Sequence, residues 1–482
     1  MIRTVSVLCA LMLSGAAVGA EALPESMTET TKECLECHAE ANPGLYQQWG
    51  ASRHFGANVG CYECHAAEET DTDWLRDGLH DDYVISTVVS PRDCARCHAK
   101  EVDEFENSHH SKAGRIMGSL DNMLAEVVEG NNGLVTPQFP MGISAAAVNG
   151  CWQCHGSVMR VDDQTGELDP ATWPNSGIGR VNPDGSEGSC SACHSRHAFS
   201  VALARQPENC GKCHLGPDHP QYEIYQESKH GAAFNAHKDE MALDSSKWIV
   251  GEDYTAAPTC ATCHMSATKN QEISHNIGLR IKWNNRPVHS KLSHETDKKW
   301  NLSSAAVTAD ERRLKMIDVC MSCHQQKFVD NFFTQYESLI ALYEVKYAVP
   351  GEQLYKAAVA VLKTDPDYVK FSQAIDWTWF EIWHHEGRRA RHGAAMMAPD
   401  YTHWHGTYDL AKHWMTKFIP EIEEIIDEHR DDPAAREQVA TLSETLERVQ
   451  NSAEWKWSIN KEDAEVKAAR EKRQQEFRER YD

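Results

Sequence analysis

Cys190-Ser-Ala-Cys-His194 and, twenty residues on, Cys210-Gly-Lys-Cys-His214 decide how this 482-residue chain folds. The same Cys-x-x-Cys-His pattern recurs as Cys34-Leu-Glu-Cys37-His38, Cys61-Tyr-Glu-Cys64-His65, Cys94-Ala-Arg-Cys97-His98, Cys151-Trp-Gln-Cys154-His155, Cys260-Ala-Thr-Cys263-His264 and Cys320-Met-Ser-Cys323-His324, with the two opening copies using Cys193 and Cys213. Each is a c-type haem attachment site: the two thiols form thioethers to the porphyrin vinyl groups and the adjacent His ligates the iron. At this Cys and His content chance supplies only roughly 0.03 such matches, so eight copies are a signal. Sixteen of the seventeen cysteines are consumed this way. Zinc knuckles need no obligatory His after the second Cys, disulfide frameworks do not place every Cys two residues from its partner, and a thioredoxin-like pair would occur once. The expected cofactors are eight c-type haems.

Composition bounds the setting. Arg3, the apolar run Val5–Leu13 and the small-residue exit Val18-Gly19-Ala20 have the layout of a cleaved secretory signal over residues 1–20. Cys9 lies inside that run and would leave with it; a lipid-anchoring Cys would stand at the cleavage point. No later segment has the roughly twenty apolar residues that span a bilayer, so the expectation is a soluble periplasmic protein. The net charge of −24 argues against nucleic acid or an anionic membrane as partner and suits docking to a redox carrier such as a basic cytochrome.

The motifs start 27, 33, 57, 39, 20, 50 and 60 residues apart. Each haem therefore has few residues around it, and the porphyrins must themselves form much of the core. The fold class expected is mainly α: a multihaem cytochrome c with a loop-rich, haem-packed octahaem-binding domain over 21–325 and a helical C-terminal domain over 326–482. In the latter, Phe332, Tyr336, Ile340, Tyr343 and Tyr347 form the stripe of an amphipathic helix that stops at Pro350. Further helices are expected near 352–363, 368–390, 407–430 and 433–478, the last becoming almost wholly polar from Glu462 and so either solvated or laid on a partner subunit.

Eighteen histidines remain beyond the eight proximal ligands. A closed, six-coordinate haem takes one of them on its far face, whereas an iron with a vacant position can meet a substrate. The distal candidates are His54, His80, His109 or His110, His197, His230, His275 and His289: seven places for eight irons, with His294 and His392 in reserve.

Three further strings, Trp173-Pro-Asn-Ser-Gly-Ile-Gly-Arg-Val-Asn-Pro-Asp-Gly185, Cys210-Gly-Lys-Cys-His-Leu-Gly-Pro-Asp-His-Pro-Gln221 and Gly387-Arg-Arg-Ala-Arg-His-Gly-Ala-Ala-Met-Met-Ala-Pro-Asp-Tyr-Thr-His-Trp-His-Gly406, resemble octahaem hydroxylamine oxidoreductase across nearly the whole chain. The resemblance implies that the haem on Cys151, Cys154 and His155 is five-coordinate and catalytic. It also implies that an Asp-His pair, matched here by Asp218 and His219, lines its distal pocket. The residues agree with that: Gly216-Pro217 forces a turn, and the pair offers a carboxylate base beside an imidazole. Oxidising hydroxylamine sheds protons as electrons leave, which such a pair accepts near neutral pH. Read from the residues alone, His219 could equally be one more iron ligand. The resemblance further implies a homotrimer in which a tyrosine of one subunit is bonded covalently to the catalytic porphyrin of its neighbour. Tyr401 is the match, with Tyr408 in reserve; the plain alternative is an aromatic packed among His403, Trp404 and His405.

Three functions follow. The first is oxidation of a small nitrogenous substrate, hydroxylamine or hydrazine, at the fourth haem, with seven bis-His haems passing electrons to a carrier. The second is reduction of nitrite or hydroxylamine to ammonia on the same fold. The third is electron transfer without catalysis. Pentahaem nitrite reductases and tetrathionate-reducing octahaem relatives use a lysine at the catalytic haem, and no Cys-x-x-Cys-Lys occurs here.

Overall fold

The computed structural model describes residues 26–118, 127–128, 135–137, 142, 144–280 and 301–482. The signal segment 1–20, Cys9, His289 and His294 lie outside the described residues. Helices dominate, and among the described residues β-structure is confined to isolated bridges such as Ala66 with Ile85 and Trp74 with Ser86. The mainly α expectation holds.

In the first two thirds most helices are short, Glu29–Ala41, Pro91–Glu106 and Ala309–Met321 being the longer ones, and several begin where an attachment motif begins. A helix places positions i, i+3 and i+4 on one face, which is the spacing of Cys, Cys and His in the motif. Local caps start these turns. The Thr259 hydroxyl accepts from Thr262 N–H ahead of Cys260–His264. Ser90 accepts from Arg92 N–H at 3.0 Å while its own N–H donates to Asp93 at 2.8 Å, opening Pro91–Glu106 just before Cys94. Gly60 N–H donates to Glu63 at 2.8 Å ahead of Cys61–His65.

From Gln326 the helices lengthen and share one apolar core, in which Leu354, Val361, Ile375, Ile382, Leu410, Trp414, Phe418 and Leu442 are almost wholly buried. The boundaries differ from the sequence expectation in an instructive way. The first helix does not stop at Pro350: Gln326–Tyr343 runs through a π turn, Glu344–Ala348, into Val349–Leu362. The wider turn ahead of the proline absorbs the amide hydrogen it lacks and the bulk of its ring. Pro420 repeats the device, following the π turn Trp414–Phe418 and opening Ile419–His429. The helix expected from 368 starts instead at Ala374 (Ala374–Phe380, then the π turn Glu381–Glu386 and Gly387–Ala395). The expected helix 433–478 is two, Arg436–Gln450 and Ala464–Arg478, separated by turns that include Asn460 at φ +58°. Ala464–Arg478 buries none of its side chains.

Candidate haem-ligand and substrate site

Two imidazoles bound trans on one iron have a predictable separation. A metal–imidazole bond is about 2.0 Å and about 1.1 Å lies between that nitrogen and its ring centre, so the ring centres stand roughly 6.2 Å apart. Six motif histidines face a second imidazole at this distance: His38 and His80 at 6.3 Å, His65 and His197 at 6.4 Å, His98 and His54 at 6.2 Å, His194 and His275 at 6.4 Å, His214 and His110 at 6.2 Å, and His324 and His230 at 6.1 Å. Six of the candidate distal residues are thus each placed opposite a different motif, with an iron-sized gap between the rings. Of the His109 and His110 alternatives, it is His110 that faces His214. Burial drives His110 down to about 3, and His194, His197, His214 and His264 to about 4, the charges of nearby imidazoles or of Arg280 adding to it. Neutral imidazole is the form that ligates a metal.

The sulfurs show which motifs adjoin. These thiols stand for the thioether sulfurs of the haem-loaded protein. Cys94 lies against Cys190, Cys154 against Cys213 and Cys210 against Cys260. Looser electrostatic neighbours are Cys34 and Cys61, Cys64 and Cys94, Cys193 and Cys210, and Cys263 and Cys320. The motifs therefore run first, second, third, fifth, sixth, seventh, eighth in space, and the fourth branches from the sixth.

The fourth motif is held by close backbone packing. Cys154 and His155 carbonyls accept from Ile178 N–H at 3.0 Å and Gly179 N–H at 3.2 Å. A Cβ on Gly177 would lie 2.0 Å from the Gly156 nitrogen, so the Trp173–Gly185 string needs glycine there. Arg180, 1% exposed, ties the string together through Asn182 at 2.8 Å, Val89 O at 3.0 Å and Asn175 O at 3.2 Å.

Next to this motif stands the Asp218–His219 pair. Gly216, at φ +92°, turns the chain out of the sixth motif. Its N–H donates to Glu223 at 3.1 Å, and Tyr222 N–H closes the loop on His214 O at 3.0 Å. His219 Nε2 is 3.5 Å from Asp218 Oδ2, and its Nδ1 is buried without a hydrogen bond. The ring of His219 is also 6.1 Å from that of His214. The Asp218 charge reaches Cys154, whose Sγ lies 3.8 Å from Lys212 O, so the pair flanks the fourth attachment site.

Two residues that carried no role in the sequence reading complete the cluster. Arg388 Nη1 reaches Asp218 Oδ2 at 3.3 Å, and His384 Nδ1 is 4.0 Å from the same oxygen; both are 3% exposed. Arg389 Nε donates to Pro217 O at 2.8 Å, fastening Gly387–Ala395 to the Asp218 loop. Arg388 lies in the Gly387–Gly406 string that carries the resemblance, which gave it no role. Tyr401 packs behind the loop: its N–H donates to Glu227 at 3.2 Å and its ring is 5.3 Å from His405. Burial and the acidic Glu223 and Glu227 push its phenol above the ordinary tyrosine range. Tyr408 is about half exposed, against Trp404.

Comparison with known proteins agrees with the motif pattern. A family model described as seven times multi-haem cytochrome CxxCH matches residues 184–341, one for cytochrome c3 matches 88–215, and one for cytochrome c554 and c-prime matches 14–66. A probable nitrite reductase–hydroxylamine oxidoreductase fusion protein of Kuenenia stuttgartiensis is 28% identical over 339 residues, which is 61% of this chain and 34% of that one. The chain thus spans about a third of that relative's length. A solved structure described as a hypothetical multiheme protein superposes with a TM-score of 0.66 at 26% identity, covering 86% of this chain and 97% of the other. A reducing HAO-like protein complex of Kuenenia stuttgartiensis gives a TM-score of 0.48 at 20% identity, covering 87% of each chain. Among the described residues no helix is long and apolar enough to cross a membrane. Its attachment motifs, its helical fold and these partial matches make the chain similar to multihaem c-type cytochromes.

Proposed function

We propose that the protein is a periplasmic enzyme that oxidises hydroxylamine or hydrazine beside the fourth attachment motif and delivers the electrons to a redox carrier. The observation that carries this reading is the Asp218–His219 pair, clamped by Arg388, with the Asp218 charge felt at Cys154 of the fourth motif. When bound, the haem on Cys151, Cys154 and His155 supplies the electron acceptance; protons are left to the side chains. Arg388 Nη1 donates to Asp218 Oδ2 at 3.3 Å and fixes the orientation of its side chain. Asp218 in turn favours the His219 tautomer with hydrogen on Nε2, which leaves the buried Nδ1 lone pair to take a proton from the substrate nitrogen or oxygen.

His219 is not the axial partner of His214 in this reading. The loop that carries it closes on His214 O at 3.0 Å, whereas His110 faces His214 from elsewhere in the chain and would be the residue to hold a haem with it. With eight haems bound, His80, His197, His54, His275, His110 and His230 would hold six of them together with the motif histidines they face. The branched order of motifs puts the fourth motif on a side branch beside the sixth, so haems held there would offer electrons a path toward both ends. Short steps between neighbouring cofactors keep reactive nitrogen species from being stranded.

Tyr401 is assigned to the cross-link with the neighbouring subunit's porphyrin in a homotrimer. Its surroundings suit a subunit contact: Met397, Trp404 and Tyr408 are each about half exposed around it, an apolar, aromatic composition typical of interface cores.

Anaerobic mixing of the fully oxidised protein with hydroxylamine, and separately with hydrazine, tests the proposal. At least one should reduce the haems within the enzyme's turnover time, and Asp218→Asn should slow it by about 10²- to 10⁴-fold with haem content unchanged. Haems that stay oxidised with both, yet accept nitrite as an electron sink when reduced, would make the protein a reductive enzyme; haems indifferent to all three would leave electron transfer alone.

A further inference from the structure

A second cluster of ligating side chains lies apart from the attachment motifs. The π turn Glu381–Glu386 carries two carboxylates five residues apart. In an α-helix such residues would point about 140° away from each other; the wider turn brings them together. His413, from Asp409–His413, completes the group. Its Nδ1 is 2.5 Å from Glu386 Oε1 and 4.0 Å from Glu381 Oε2, and one ligand atom from each of the three residues lies within 4.8 Å of the other two. Glu386 is only 3% exposed in its side chain, and its second oxygen, Oε2, is buried with no hydrogen-bond partner. A buried carboxylate oxygen without a donor is expensive, and a cation bound at the cluster would satisfy it.

We propose that Glu381, Glu386 and His413 form a site for one divalent first-row transition-metal ion, zinc being the reference case. Two carboxylates with one imidazole suit such an ion better than magnesium or calcium, which prefer all-oxygen shells. Bonds of about 2.0–2.2 Å set tetrahedral ligand atoms roughly 3.4 Å apart, so His413 and Glu386, now 2.5 Å apart, must give up their hydrogen bond and open around the ion while Glu381 closes on His413 from 4.0 Å, with solvent filling the fourth position. Lys417 Nζ, 3.5 Å from Glu381 Oε2, is the resident competitor and must swing away as the metal enters. The site sits on the turn that leads directly into Gly387 and Arg388, so the ion would brace the helix that carries the arginine on Asp218. That bracing role rests on the proposed function; the metal site does not.

The test uses the intact haem-loaded protein, dialysed against chelator and then equilibrated with zinc alone. The expected result is one zinc per chain, with a zinc-edge absorption spectrum showing nitrogen and oxygen neighbours at about 2.0–2.1 Å and no sulfur. Glu386→Gln and His413→Gln should each weaken binding at least 100-fold, and Lys417→Gln should tighten it several-fold. Glu381→Gln, at a partly exposed position, should weaken it at least tenfold and keeps the proposal decidable if the buried variants fail to fold. Absence of stoichiometric zinc, a sulfur shell, or zinc retained unchanged in Glu381→Gln would overturn the site. None of these readouts depends on hydroxylamine turnover, so the metal site and the proposed function fail separately.

Discussion

Asp218 shows how little of a site's geometry lies in its own motif. The turn that presents it is written locally, in Gly216-Pro217, but its anchor Arg388 lies 170 residues away. Arg388→Gln should therefore lower hydroxylamine oxidation by about 10- to 100-fold, consistent with loss of a charge-assisted partner worth roughly 1.5–3 kcal/mol. The loss should appear in kcat more than in KM, with haem content intact; a change in KM alone would contradict the assignment. The Asp-His pair is implied by the resemblance, on residues that follow an attachment motif by four and five positions. Arg388 and His384 were not legible in the sequence, since only folding brings Gly387–Ala395 onto the 214–222 loop. Six of the candidate distal histidines stand about 6.1–6.4 Å from a motif histidine, and which motif each faces is read from ring positions alone. His230→Met is a direct check on one pair: replacing an imidazole by a thioether raises the potential of a single haem, visible in a redox titration. An unaltered titration would remove His230 from the ligand set opposite His324.

At the scale of elements, the aromatic stripe from Phe332 to Tyr347 identified a helix correctly, and a proline misplaced its end. Sequence periodicity registers 3.6 residues per turn, so a π turn that resets the phase and shelters a proline is invisible to it. Because the turn Glu344–Ala348 already accommodates Pro350, replacing the proline with alanine should alter stability by less than about 1 kcal/mol, against the roughly 3 kcal/mol of a proline in an unrelieved helix. A gain near the larger figure in denaturant unfolding would show the proline to be strained. The Trp173–Gly185 string makes the opposite case, a loop with no tolerance. Gly177→Ala drives a methyl into the Gly156 backbone, and the variant should lose the haem peptide containing Cys151 and Cys154 from its tryptic map before any other. Full retention of that peptide would mean that the loop yields.

For the whole molecule, the motif count and the length implied a core built around cofactors, and most of the described helices of the first two thirds are correspondingly short. The branched order of motifs could not be read from their spacing: the fifth and sixth are nearest in sequence, yet the fourth touches the sixth through Cys154 and Cys213, 59 positions apart. The polar end was readable as uncommitted, and Ala464–Arg478 buries nothing. Removing residues 464–482 should leave haem content unchanged and shift Tm by less than about 2 °C, as surface changes within ±0.5 kcal/mol do. A larger fall accompanied by loss of the oligomer in sedimentation would assign that helix to a partner. The central claim, an oxidising site completed by a neighbouring subunit, meets its most direct test in mass spectrometry of the digested native protein. The account predicts a peptide containing Tyr401 covalently joined to the haem peptide of Cys151 and Cys154; Tyr401 recovered only as a free peptide would contradict the cross-linked oxidase and favour the reductive enzyme.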